Sequence, residues 1–146
     1  MRNRVVVALL IVLSLLLTCC NIPLLFNHKV LNTIYSVGKD IQVGQDTTID
    51  VQSLFNSRLD LLYVSGEAMP PELISEDIGI KYLGPWVWDS EYRLILLKGH
   101  RIIYQENLHS SIENGLSLWI QPCPIQSSFM MHIQRINEST LQVTWN

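Results

Sequence analysis

The sequence predicts an α+β fold: an antiparallel sheet of five or six strands with one or two short helices packed on it. Three stretches carry that reading. Residues 92–97 are apolar on both faces (Leu94, Ile95, Leu96, Leu97) and lead through Lys98-Gly99-His100 into an apolar return over 101–105, the pattern of a hairpin with a central strand. At the C-terminus, Phe129, Met131 and Ile133 alternate with polar residues. Asn137-Glu138-Ser139 turns, and Leu141, Val143 and Trp145 return with Gln142, Thr144 and Asn146 on the other side. Finally, Pro70-Pro71 opens and Gly79 closes a short helical pattern, with proline suited to the first turn and glycine to a left-handed cap.

The remaining elements follow in order. Val30, Leu31, Ile34 and Tyr35 have helical spacing, but Gly38 interrupts and Ile41 and Val43 alternate, so residues 28–45 read equally as helix or strand. Gly44-Gln45-Asp46 is turn chemistry. Asp50 is a good N-cap for a short helix through Val51, Leu54 and Phe55. Residues 59–64 form a compact apolar strand ending at Ser65-Gly66. In the 71–78 helix Leu73, Ile74 and Ile78 are the expected buried stripe, while Glu72, Glu76 and Asp77 form the solvated face. Leu116, Leu118 and Ile120 alternate with Ser117, Trp119 and Gln121 in a further strand.

The N-terminus has its own logic. Arg2 and Arg4 precede an unbroken apolar run from Val5 to Leu17, and Thr18-Cys19-Cys20 follows, the layout of a secretory signal. The run is shorter than the roughly 20 residues a helix needs to cross a bilayer, which weighs against an uncleaved anchor. Residues 1–19 are accordingly expected to be a lipoprotein signal peptide, 20–27 a lipid-anchored tether, and 28–146 a single domain. Cys20 is the expected lipidated residue and Cys19 the small residue before it; modification of Cys19 is the alternative.

Removing the signal leaves about 127 residues, one ordinary domain. With Arg2 and Arg4 gone, the net charge moves from -3 to -5. The remaining basic residues are scattered, which excludes a nucleic-acid footprint. The expected membrane partner is the bilayer itself, held through N-terminal acyl chains.

No constellation for chemistry emerges. Cys123, the third cysteine, lies in Pro122-Cys123-Pro124 and is expected to fill space in a connecting loop rather than act as a nucleophile with His109 or His132. His28, His100, His109 and His132 show no zinc-binding spacing, so no metal and no cofactor is expected. The one segment suited to recognition is Gly84-Pro85-Trp86-Val87-Trp88-Asp89, a loop with two tryptophans, and Trp86, Trp88 and Asp89 are the candidate partner-binding residues. The two indoles are expected on opposite sides, one packed on the core and one facing out.

Residues 17–20, Leu17-Thr18-Cys19-Cys20, are similar to the lipobox of bacterial lipoproteins. Residues 50–105 resemble an uncharacterised family of small exported bacterial proteins. The likeness lies in the order of Ile49-Asp50-Val51, Phe55, the strand Asp60-Leu61-Leu62-Tyr63-Val64, and Pro71 with the helix to Ile78-Gly79. It continues in the 92–97 strand, the Gly99 turn and the Ile102-Ile103-Tyr104 return. Leu59 departs from the aromatic such families often carry before the strand acid. The resemblance implies no activity and supplies no catalytic residue.

The expected function is therefore that of a non-enzymatic envelope lipoprotein, displayed on a membrane and acting by binding a protein. An immunity-type protein neutralising an envelope toxin is the nearest alternative, since an acidic surface can mask a basic toxin. A small cell-wall or glycan hydrolase with Trp86 and Trp88 as sugar platform is the alternative of another class. It would require a deep polar cleft holding Glu67, Asp89 or Glu91.

Overall fold

The computed structural model describes residues 28–110 and 115–146. The signal peptide, Cys20 and the tether lie outside the described residues. Among the described residues two α-helices, α1 (Lys29–Asp40) and α2 (Pro71–Ile78), accompany eight strands, so the class is α+β as expected. The strands are β1 (Asp46–Asp50), β2 (Leu61–Val64), β3 (Glu91–Lys98), β4 (Arg101–His109), β5 (Ser117–Ile120), β6 (Cys123–Gln126), β7 (Met130–Asn137) and β8 (Thr140–Trp145).

They form two sheets of four rather than one of five or six. Sheet I has the order β1-β7-β8-β5 and sheet II the order β4-β3-β2-β6. The two hairpins read from sequence are both present, β3 with β4 and β7 with β8, but they seed different sheets. The two strands not foreseen are β1, whose Asp-Thr-Thr-Ile-Asp is too polar to look like a strand, and β6, whose Pro124 argues against one. Both lie at sheet edges, where polarity and proline are tolerated. β5 adds to β8 in parallel, the one pairing that departs from the antiparallel pattern among the described strands.

Alternation decides the faces of sheet I. Met131, Ile133, Leu141, Val143, Leu118 and Ile120 are buried, while His132, Gln134, Gln142 and Thr144 line the other side. Sheet II differs. On one side of β3, Tyr92, Leu94 and Leu96 join α1 and the inner face of sheet I in the larger core. On its other side Ile95 and Leu97 pack with Tyr63, Ile74, Ile78, Tyr82 and Val87 in a smaller one. β3 is thus covered on both faces, as its apolar run predicts.

Residues 29–40 resolve as helix. Gly38 does not break it: the glycine is buried and faces Leu141 of β8, so it permits close helix–sheet approach. The start of α1 is held from sheet II. The N–H groups of Val30 and Leu31 donate to Glu106 Oε2 and Oε1, each at 3.0 Å, and that of Lys29 donates to the Tyr104 hydroxyl at 3.1 Å. Tyr104 in turn donates to Glu106 Oε2 at 2.6 Å. These side chains satisfy helix-start donors that the N-cap residue His28 leaves unserved.

Asp50 caps a single 3-10 turn, Val51–Leu54, its carboxylate accepting from the Gln52 N–H at 2.9 Å. α2 begins at Pro71 and ends at Gly79, which has φ 70° and donates its N–H to the Ser75 carbonyl. Ile74 and Ile78, four apart, are its buried stripe, and Leu73 turns outward instead of joining them. Asp77, expected to be merely solvated, accepts a 2.6 Å hydrogen bond from the Tyr63 hydroxyl. Cys123 sits buried in edge strand β6, not in a connecting loop; burial pushes its thiol pKa up. Among the described residues no helix is long and apolar enough to cross a membrane.

Candidate functional site

The segment between α2 and β3 lies against the outer side of sheet II. Tyr82 and Val87 are its buried feet. Between and beside them, Leu83 is 81% exposed, Trp86 47% and Trp88 66%. The two indoles are stacked, with ring centroids 6.5 Å apart and 29° between planes. The expectation that they point to opposite sides is therefore overturned. Residues two apart in extended backbone project to one side, so it is the intervening Val87, fully buried, that enters the core.

The loop is held at few points. Val87 N–H donates to the Met69 carbonyl at 3.0 Å, and Ala68 N–H to the Trp88 carbonyl at 3.4 Å. Ala68, at one of these contacts, and Ser90, two residues after Trp88, have φ values of 51° and 65°, a region that residues with a Cβ seldom occupy. Among the described residues they are the two such positions outside glycine, so backbone strain collects on either side of Trp88. Gly84 lies against the Tyr82 ring so closely that an added Cβ would come within 2.8 Å of Tyr82 Cε1. Asp89 is exposed at the loop's end.

Beneath the loop lies a polar cluster not foreseen in the sequence. Arg93 of β3 is fully buried, on the face shared with Ile95 and Leu97. Asn107 is its direct cross-strand partner on β4, and Gln105 lies one pair further along the same face. Burial pushes the Arg93 pKa down, partly offset by Tyr82 and Glu91. Burial raises the Tyr82 pKa, and Arg93 acts against that rise. Glu91 approaches His109 Nδ1 at 3.4 Å and accepts from Asn107 Nδ2 at 3.4 Å. A charged residue inside a run read as covered on both sides was the available signal; the four apolar residues after Arg93 obscured it.

The other acids considered for chemistry are placed separately. Glu67 accepts a 2.8 Å hydrogen bond from Tyr92, whose pKa is pushed up to about 12 by burial and by that carboxylate. His132 lies on the polar face of sheet I, between Thr48 Oγ1 and Asn146 Nδ2, each at 2.8 Å from a ring nitrogen. Among the described residues no group of three or more His, Cys, Asp or Glu side chains has a metal-binding arrangement.

No protein-family model matches the chain, and no curated protein or solved structure shows significant similarity to it.

Proposed function

We propose that this protein is a non-enzymatic envelope lipoprotein, anchored to a membrane by acylation at Cys20, that works by binding a protein partner through the 83–89 loop. The observation that carries the binding reading is the exposed, mutually stacked pair Trp86 and Trp88 on a loop rooted by Val87. Exposed aromatic pairs of this kind offer large contact area with few rotamers to freeze, the usual make-up of an interface hot spot. Leu83 extends the apolar surface, and Asp89 adds a charge at its edge. The anchor rests on the basic, apolar and cysteine order of the first twenty residues.

Two measurements test the reading. Intact-mass analysis of the mature protein should show an acylated N-terminal Cys20, and Cys20→Ser should leave the protein soluble or unprocessed. Crosslinking on native membranes should capture a partner with the wild type and lose it with Trp86→Ala or Trp88→Ala. An unmodified N-terminus downstream of Asn21 overturns the anchor, and equal capture by the tryptophan variants overturns the loop as the binding surface.

A further inference from the structure

Among the described residues, eight buried side-chain nitrogen or oxygen atoms have no hydrogen-bond partner, and six of them lie beneath the tryptophan loop. They are the three guanidinium nitrogens of Arg93, the Tyr82 hydroxyl, Gln105 Oε1 and Asn107 Oδ1. Chance does not gather them there: Arg93, Asn107 and Gln105 share one face of the β3–β4 pair, and Tyr82 belongs to the segment that covers it.

We propose that this cluster is a carboxylate-binding site, built on Arg93, that receives the C-terminal carboxylate of the partner protein. This rests on the reading of the tryptophan loop as the partner surface.

A guanidinium stays protonated and presents five N–H donors in a planar fork, which matches a carboxylate two bonds at a time. Leaving such a charge buried without hydrogen bonds is costly, so the site is built for a ligand that supplies them. Glu91, the carboxylate that acts on Arg93 electrostatically, is already engaged by His109 and Asn107. Its charge also disfavours a dianion nearby more than a single negative charge, which selects a carboxylate over a phosphate. Gln105 Oε1 and Asn107 Oδ1 are acceptors, and a terminal residue carries a main-chain N–H next to its carboxylate. A chain terminus therefore answers both halves of the site, whereas a bare acid answers one.

Entry requires the loop to move. Its two backbone bonds to Ala68 and Met69, and the strained Ala68 and Ser90, place the give at the loop's base. A partner gripping Trp86 and Trp88 pulls on the cover of Arg93, so aromatic contact and acid recognition are coupled.

The test uses the full-length protein in detergent and small probes. N-acetylglycine carries the carboxylate and adjacent N–H, acetate lacks the N–H, N-acetylglycinamide lacks the charge, and inorganic phosphate supplies a dianion. Titration should shift the Arg93 Nε–H resonance saturably with N-acetylglycine, with a dissociation constant on the order of millimolar, as suits so small a ligand. Acetate should bind several-fold more weakly and N-acetylglycinamide should leave the resonance unmoved. In thermal unfolding, Arg93→Met should lower N-acetylglycine affinity at least tenfold, and Gln105→Leu should bring it down to that of acetate. Absence of saturation, an equal response to the neutral amide, or tighter binding of phosphate overturns the site. The resonance titration needs no variant, so it decides the matter even if Arg93→Met does not fold. It also needs no partner. Its failure leaves the tryptophan reading standing, while retained partner capture by the tryptophan variants removes that reading alone.

Discussion

Gly38 of α1 lies so close to Leu141 of β8 that a Cβ at residue 38 would overlap Leu141 Cδ1 and stand only 3.1 and 3.2 Å from Cδ2 and Cγ. Helix and sheet I therefore meet there with only the Leu141 side chain between them. Glycine costs an ordinary helix interior about 1 kcal/mol relative to alanine. Here the sign reverses, because overpacking costs about 1–3 kcal/mol. Gly38→Ala should lower stability by denaturant unfolding, and combined with Leu141→Ala it should cost less than the sum of the two single losses. A Gly38→Ala protein more stable than wild type would show that the interface is looser than described.

Glu106 governs the next expectation. Truncation to alanine strips the acceptor from the Val30 and Leu31 N–H groups and from the Tyr104 hydroxyl, all buried, and should cost about 2–3 kcal/mol. Burial raises the Glu106 pKa above its ordinary value and outweighs the lowering effect of its hydrogen bonds from Tyr104, Leu31 and Val30 and of nearby His28. The folded protein therefore binds this proton more tightly than the unfolded chain. Its stabilising contribution is complete below the ordinary carboxylate pKa and declines as pH rises through the folded value. Glu106→Gln lacks this slope, so wild-type stability should fall relative to the variant as pH is raised across the acid range. Parallel pH profiles for the two proteins would contradict the assignment.

Gly79 closes α2 with φ 70°. A β-branched side chain in that region is strained by roughly 1–2 kcal/mol. Gly79→Val should destabilise by about that amount, whereas Gly79→Asn should cost less, because asparagine tolerates the left-handed region. Chemical denaturation of the three proteins distinguishes the two effects.

Around the loop, stability and binding should separate by residue. Val87→Ala removes buried methyl groups and should cost about 1–2 kcal/mol. Trp86→Ala and Trp88→Ala remove rings that are 47% and 66% exposed and should cost about 1 kcal/mol or less. Their effect should fall on partner affinity instead, by about 2 kcal/mol for whichever ring is the hot spot. Unfolding curves beside binding isotherms for the three variants check this division.

The elements legible in the sequence were those whose local chemistry agreed with their packing. The Asp50 cap, the Pro71-to-Gly79 helix and both hairpins needed nothing beyond nearest neighbours. What escaped was set by distant partners. α1 looked ambiguous because Gly38 answers to Leu141, over a hundred residues later. β1 became a strand because β7 offered it an edge. The candidate site was half legible: Trp86, Trp88 and Asp89 stood out by composition. Arg93 did not, because its neighbours Tyr82, Asn107 and Gln105 come together only once β4 and the loop are in place.

The clamp at the head of α1 has a mechanical consequence. Residues 1–27 enter the domain at His28, and the first amides beyond it, those of Lys29, Val30 and Leu31, are bonded to β4 side chains rather than to their own helix. Tension arriving along the N-terminal chain is thus handed at once to a nine-residue strand that is zipped to β3 along nearly its whole length. Load applied at His28 should therefore reach sheet II through these bonds as well as along α1.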